Sequence, residues 1–226
     1  MDELPKKKTE DYAYGATKAG LSAIPFVGGS LTAIFETIFS SPIDKRKEEW
    51  LKMLANTVDE LYKKVDGLTP ELLSNNSEFI SIYLQASNIA IRTHNQEKLD
   101  ALNAAVKNTI LQKDVDESKK MIFIRLIDQM TPLHFKVLHF LSYTEQYVEK
   151  LNSKLPNNTS THWGSASNVW DESFEEIKSE NLLMDLVTND LNNYGLVHIN
   201  KFHLASMTPV STGLGREFYE FITEKT

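Results

Sequence analysis

Apolar residues recur at three- and four-residue spacing through most of this chain, and the period changes only near its end. Between residues 43 and 65, Trp50, Leu51, Leu54, Val58, Leu61 and Val65 form one stripe, the pattern of an amphipathic helix. Lys63 and Lys64 complement the dipole at its end, and Gly67 stops it. Leu68-Thr69-Pro70 starts a short element, one turn long. The spacing next predicts a helix over 77–93, through Phe79, Ile80, Ile82, Tyr83, Ala86, Ile89 and Ala90. Thr93-His94-Asn95 breaks it, and a helix over 96–112 follows, through Leu99, Leu102, Ala105, Val106 and Ile110. Another covers 116–130, through Met121, Ile122, Ile124, Leu126 and Ile127. Thr131-Pro132 then opens one long helix over 132–154, since proline suits a first helical turn, where its missing N–H is not needed.

Residues 12–40 alternate small and large apolar side chains. Pro25 and Gly28-Gly29 divide them, which predicts two short helices, 12–24 and 29–40, packed as a hairpin on the 43–65 stripe. Gly15, Ala19, Ala23, Gly28, Gly29 and Ala33 are also the small residues that let helices approach closely in a membrane. Lys18, Glu36 and Pro25 stand against a spanning helix, and each half falls short of the roughly 20 residues that spanning needs. Membrane association through 12–40 stays open as an alternative.

Residues 155–169 are polar and aperiodic and read as a linker between a helical domain, 1–154, and a small domain, 170–226. In the latter, 179–193 is helical, with Leu182, Leu183, Leu186, Val187 and Leu191 facing inward, and Gly195 ends it. Leu196 to Ile199 and a return strand within 202–210 predict a two-stranded hairpin. Ser211 or Thr212 caps a last helix, 214–223. The expected fold class is mainly α, a multi-helix domain followed by a small α+β unit.

Two resemblances rest on particular residues. The run Asn189-Asp190-Leu191-Asn192-Asn193-Tyr194-Gly195-Leu196-Val197, followed by Thr212-Gly213-Leu214-Gly215-Arg216-Glu217-Phe218, resembles the end of a winged-helix domain. In that reading Gly195 turns the helix into the hairpin, and Gly215 lets the last helix sit close to its neighbours. The stretch from Ile89 to Leu99, IAIRTHNQEKL, and that from Leu126 to His134, LIDQMTPLH, resemble bacterial helical proteins of the Abi-alpha kind, some found near phage-defence genes. That resemblance implies a bacterial or prophage origin and carries no catalytic residues.

Charge narrows the choice of partner. The net charge is −7, and residues 171–226 hold 10 acidic against 4 basic groups, whereas the rest of the chain is nearly balanced. Phosphate binding is driven by Lys and Arg, so this balance disfavours DNA. The helix over 179–193 carries no Lys or Arg, but Asn181, Asp185, Asn189, Asn192 and Asn193 make it a candidate protein-interaction surface. There is no cysteine, which excludes thiolate catalysis and Cys-ligated metal. His134 and His139 are five apart, so they do not share a helix face as a metal pair would. Nucleotide and hydrolase motifs are missing, and the N-terminus shows no secretory signal pattern. No catalytic residue, cofactor or metal is assigned. The expectation is a cytoplasmic, non-enzymatic protein-interaction or regulatory protein whose partner is another protein. The alternatives are a winged-helix transcription regulator and a membrane-active effector using 12–40.

Overall fold

A computed structural model describes residues 42–112, 115–155 and 163–223. These form ten helices and one 3-10 turn. In chain order the helices are α1 (Pro42–Lys64), α2 (Pro70–Ser74), α3 (Ser77–Ala90), α4 (Gln96–Leu111), α5 (Glu117–Gln129), α6 (Pro132–Ser142), α7 (Thr144–Asn152), α8 (Ala166–Ser173), α9 (Leu182–Asn193) and α10 (Gly213–Phe221), with the turn at Phe202–Leu204 between the last two. Local chemistry sets their ends. Thr69, Asn76, Asn95, Asp116, Ser165, Asn181 and Thr212 each accept a backbone N–H of the helix they precede. Each such cap is worth about 1 kcal/mol. Gly67 and Gly195 follow α1 and α9 with φ of 75° and 74°, a left-handed conformation that costs glycine little.

The helices of the first half pack around α4, which touches α1, α3 and α5. Ala86 and Ala90 on α3 and Ala101 and Ala105 on α4 are buried, and such small side chains let two backbones approach. Two lysines are buried with them. Lys107 reaches Glu60 at 2.5 Å, and Lys120 lies 2.8 Å from Glu78 while donating to the Thr109 carbonyl. In the second half α6 packs on α9 and α10, and α7 packs on α8. The Trp170 ring sits 5.2 Å from Phe140 and 5.3 Å from Phe202, centroid to centroid.

The last helix joins the halves. Phe218 and Phe221 lie 5.2 and 5.5 Å from Phe123 of α5. The Asn108 amide donates to the carbonyls of Glu220, Phe221 and Thr223, so α4 supplies the cap for the C-terminal end of α10. One apolar cluster therefore runs from Trp50 to Ile222.

The mainly helical class expected from periodicity is what the described residues adopt, with four local differences. The single helix expected over 132–154 is two, broken at Tyr143 (φ −135°, ψ 35°). Thr144 turns its hydroxyl to the Phe140 carbonyl, and the Leu141 carbonyl accepts the Val210 N–H, so the chain returning from α9 takes up a group at the end of α6. The expected hairpin is also absent among the described residues. Only one antiparallel bridge forms, between Val197 and Ser211, so the α+β character expected for 170–226 is not adopted. Phe202 is responsible: it is buried between Phe140 and Trp170, which curls its segment into the 3-10 turn instead of a strand. Within the expected linker, Ala166 to Val169 begin α8 and bury Ala166 and Val169. On α5, Ile122 is exposed, and Phe123 and Lys120 take the buried positions. The apolar hairpin expected over 12–40 lies outside the described residues.

Candidate protein-interaction surface

Helix α9 begins where the Asn181 side chain accepts the Leu183 N–H. Its buried stripe is Met184, Val187, Thr188 and Leu191, at spacings of three and four. The Thr188 hydroxyl is satisfied by the Met184 carbonyl at 2.7 Å, so this polar residue is buried without an unmade bond. Six apolar residues in a helix this short exceed what one face can bury. Leu182, Leu183 and Leu186 are left outside, 85%, 43% and 55% exposed, which corrects their expected inward placement. Leu182 and Leu186 are four apart and share a face.

The 3-10 turn extends this surface. Asp185 accepts the Phe202 N–H at 2.9 Å, which pins the turn beside the first turns of α9. Phe202 itself is anchored in the core, and Leu204, two residues on, is 52% exposed. Four exposed leucines thus lie on two elements that this bond holds together. Covering a leucine fully is worth roughly 1.5–3 kcal/mol, so a partner that seats several of them gains appreciable affinity.

The five polar residues expected to form the surface divide by role. Asn181 caps the helix, Asp185 holds the 3-10 turn, and Asn192 donates to the Val197 carbonyl at 2.9 Å. These three position the surface. Asn189 and Asn193 are exposed, on the C-terminal half of the helix. Sequence reasoning missed the leucines, although six apolar residues crowded into a single helical segment signalled them.

A second polar cluster lies behind α9, where the segments around residues 92–98 and 128–134 meet. Arg92 pairs with Asp128 at 3.0 Å, and Lys98 donates to the Asp128 backbone carbonyl at 2.8 Å, capping the end of α5. His134 stands at the third position of α6. Its Nδ1 accepts the Thr131 N–H at 3.1 Å, an acceptor role that glutamate or glutamine fills in the usual capping box. That bond leaves the proton on Nε2, aimed at Asp190 of α9 at 3.4 Å. The Thr131 hydroxyl is 2.8 Å from Nδ1, but the ring's one lone pair there already takes the amide. The group therefore reads as helix capping and not as an activated nucleophile.

Burial holds the His134 imidazole below its ordinary range, against the opposing pull of Asp190. Because its folded pKa is lowered, the unfolded chain takes up the proton first as pH falls below about 6.5. The contribution of His134 to stability is whole above that pH and is lost progressively as the pH falls below it. His134→Gln keeps an acceptor at the capping position and removes the titration. The urea midpoint of H134Q is expected to fall less steeply between pH 7.5 and 5 than that of the parent. Some slope remains, because burial lowers His139 in the same direction. Equal slopes for parent and variant would refute this role.

His139 belongs to a separate aromatic group. Its Nδ1 is 2.6 Å from the Tyr147 hydroxyl, and its ring packs on Tyr143 and Tyr219. Burial pushes the Tyr147 and Tyr219 phenols up to about 12, so both stay protonated at neutral pH. Among the described residues no three His, Asp or Glu side chains gather as a metal site would require, and no helix is long and apolar enough to cross a membrane. Compared with family models, curated proteins and solved structures, the chain matches none.

Proposed function

We propose that this chain is a non-enzymatic protein-interaction module that docks a protein partner on α9 and the adjoining 3-10 turn. The observation that carries this reading is the exposed leucine face, Leu182, Leu183, Leu186 and Leu204. The helix is capped at its start, pinned by Asp185 and backed by a full apolar stripe, so among the described residues its place in the fold does not depend on the three leucines it exposes. Several large apolar residues exposed on one helix and the turn bonded to it mark a binding site more often than a single stray leucine does. The acidic balance of residues 171–226 weighs against duplex DNA as the partner.

The test is site-specific photo-crosslinking in living cells of the source. A crosslinking amino acid placed at residue 182 or 186 is expected to give a discrete adduct with a second protein. The same group at Glu145, exposed on α7, is expected to give none. A folded protein that crosslinks equally at all three positions, or at none, would rule the surface out.

A further inference from the structure

We propose that the leucine face of α9 receives an amphipathic helix whose apolar stripe is flanked by lysine or arginine, an inference that rests on the protein-interaction reading above. Charge selects this partner. Between residues 171 and 204 the chain holds seven carboxylates and two lysines. Several of these carboxylates have work to do within the fold. Asp171 accepts the Ser179 N–H and hydroxyl at 2.6 and 2.8 Å, Asp185 holds Phe202, and Asp190 faces His134. Glu176 lies 3.5 Å from Lys136. Glu172, Glu175 and Glu180 are exposed and have no ion pair among the described residues. Glu180 directly precedes the capping Asn181 and Leu182, so acid borders the apolar face where it is most exposed.

That border decides between occupants. Lys178 and Lys201 are exposed on the same segment, but they do not offset its carboxylates, so a second copy of this chain would set one net-acidic patch against another, and like net charge across an interface repels. A basic partner turns the same groups into attraction. The partner's secondary structure follows from the fold. Among the described residues there is no strand whose edge an extended peptide could join, so main-chain pairing is not on offer. A helix instead presents apolar side chains at spacings of three and four, which suits a short row of leucines.

Two synthetic helical peptides of equal length test this. Both carry the same leucine stripe; one is flanked by lysines and the other by glutamates. Titration against the full chain is expected to give micromolar binding of the lysine peptide and at least about tenfold weaker binding of the glutamate peptide. Leu182→Ser with Leu186→Ser, and separately Glu175→Gln with Glu180→Gln, are each expected to weaken the lysine peptide about tenfold while circular dichroism stays unchanged. Added salt should erase much of the difference between the peptides. Lysine-peptide binding that survives the leucine substitutions would be bulk charge attraction and would overturn the inference. Equal binding of both peptides would overturn the basic partner and leave the leucine surface standing. So would a dimer of the parent chain that L182S/L186S dissociates. Binding of neither peptide overturns the inference alone if residues 182 and 186 still crosslink in cells, and both readings if they do not.

Discussion

Replacing Gly215 with alanine is expected to destabilise the protein by roughly 3 kcal/mol, at the upper end of the ordinary cost of overpacking. A Cβ on Gly215 would lie 2.1 Å from the Leu196 carbonyl oxygen and 3.0 Å from its carbon. Those are backbone atoms, and they cannot swing aside as a side chain can. Leu196 is also held from both ends: its N–H donates to the Leu191 carbonyl and its own carbonyl accepts the Thr212 N–H, each at 2.9 Å. Relief requires α10 to back away, which pulls Phe218 and Phe221 off Phe123 and removes the carbonyls that Asn108 caps. Gly213→Ala is the control. It sits two residues earlier in the same helix, and its Cβ would meet nothing within 4 Å. It should be neutral or stabilising by up to about 1 kcal/mol, because alanine restricts the unfolded chain. Urea unfolding of the two variants decides the matter. A G215A protein as stable as G213A would show that the close approach of α10 to Leu196 does not exist in solution.

Trp170→Ala should cost about 3–5 kcal/mol, the usual penalty for emptying a buried aromatic site. The ring is fully buried, packs 4.3 Å from Phe174 and touches both Phe140 and Phe202. Its Nε1 donates to the Ile177 carbonyl at 2.7 Å, a bond that alanine also removes. Small domains hold only about 5–15 kcal/mol in total, so the loss is a large share of the stability. The consequence reaches the proposed surface, because Phe202 rests on Trp170 and carries the turn that presents Leu204. The variant also tests how far the core is shared. With Trp163, the other remaining tryptophan, replaced by phenylalanine in both parent and variant, Trp50 in α1 reports on the first half by fluorescence. Its unfolding midpoint is expected to drop along with the loss of total helix, since α10 ties the halves together. A Trp50 transition left at the parent's midpoint would show that the second half folds and unfolds apart.

Periodicity, capping residues and glycines determined where most helices lie. Trp50, Leu54 and Leu61 recur at helical spacing and are buried, and Asn76, Asn95 and Thr212 cap helices as their side-chain chemistry dictates. These are local matters, settled within a turn or two of chain. The role expected of Gly215 was legible too, because a glycine early in a helix that also packs on its neighbours has few other uses. Tertiary structure decided what local pattern could not. Tyr143 breaks a stretch whose period runs on unbroken, because the chain returning through Val210 bonds the Leu141 carbonyl. Phe202 forsakes a strand for a 3-10 turn because the space between Phe140 and Trp170 takes its ring. The leucines of α9 show the limit most plainly. An apolar residue on a helix signals burial, but a helix has only as many buried faces as it has neighbours. Helix α6 and the 3-10 turn cover one side of α9 and leave Leu182, Leu183 and Leu186 in water, so the sequence marked these residues as apolar and only the packing made them a surface.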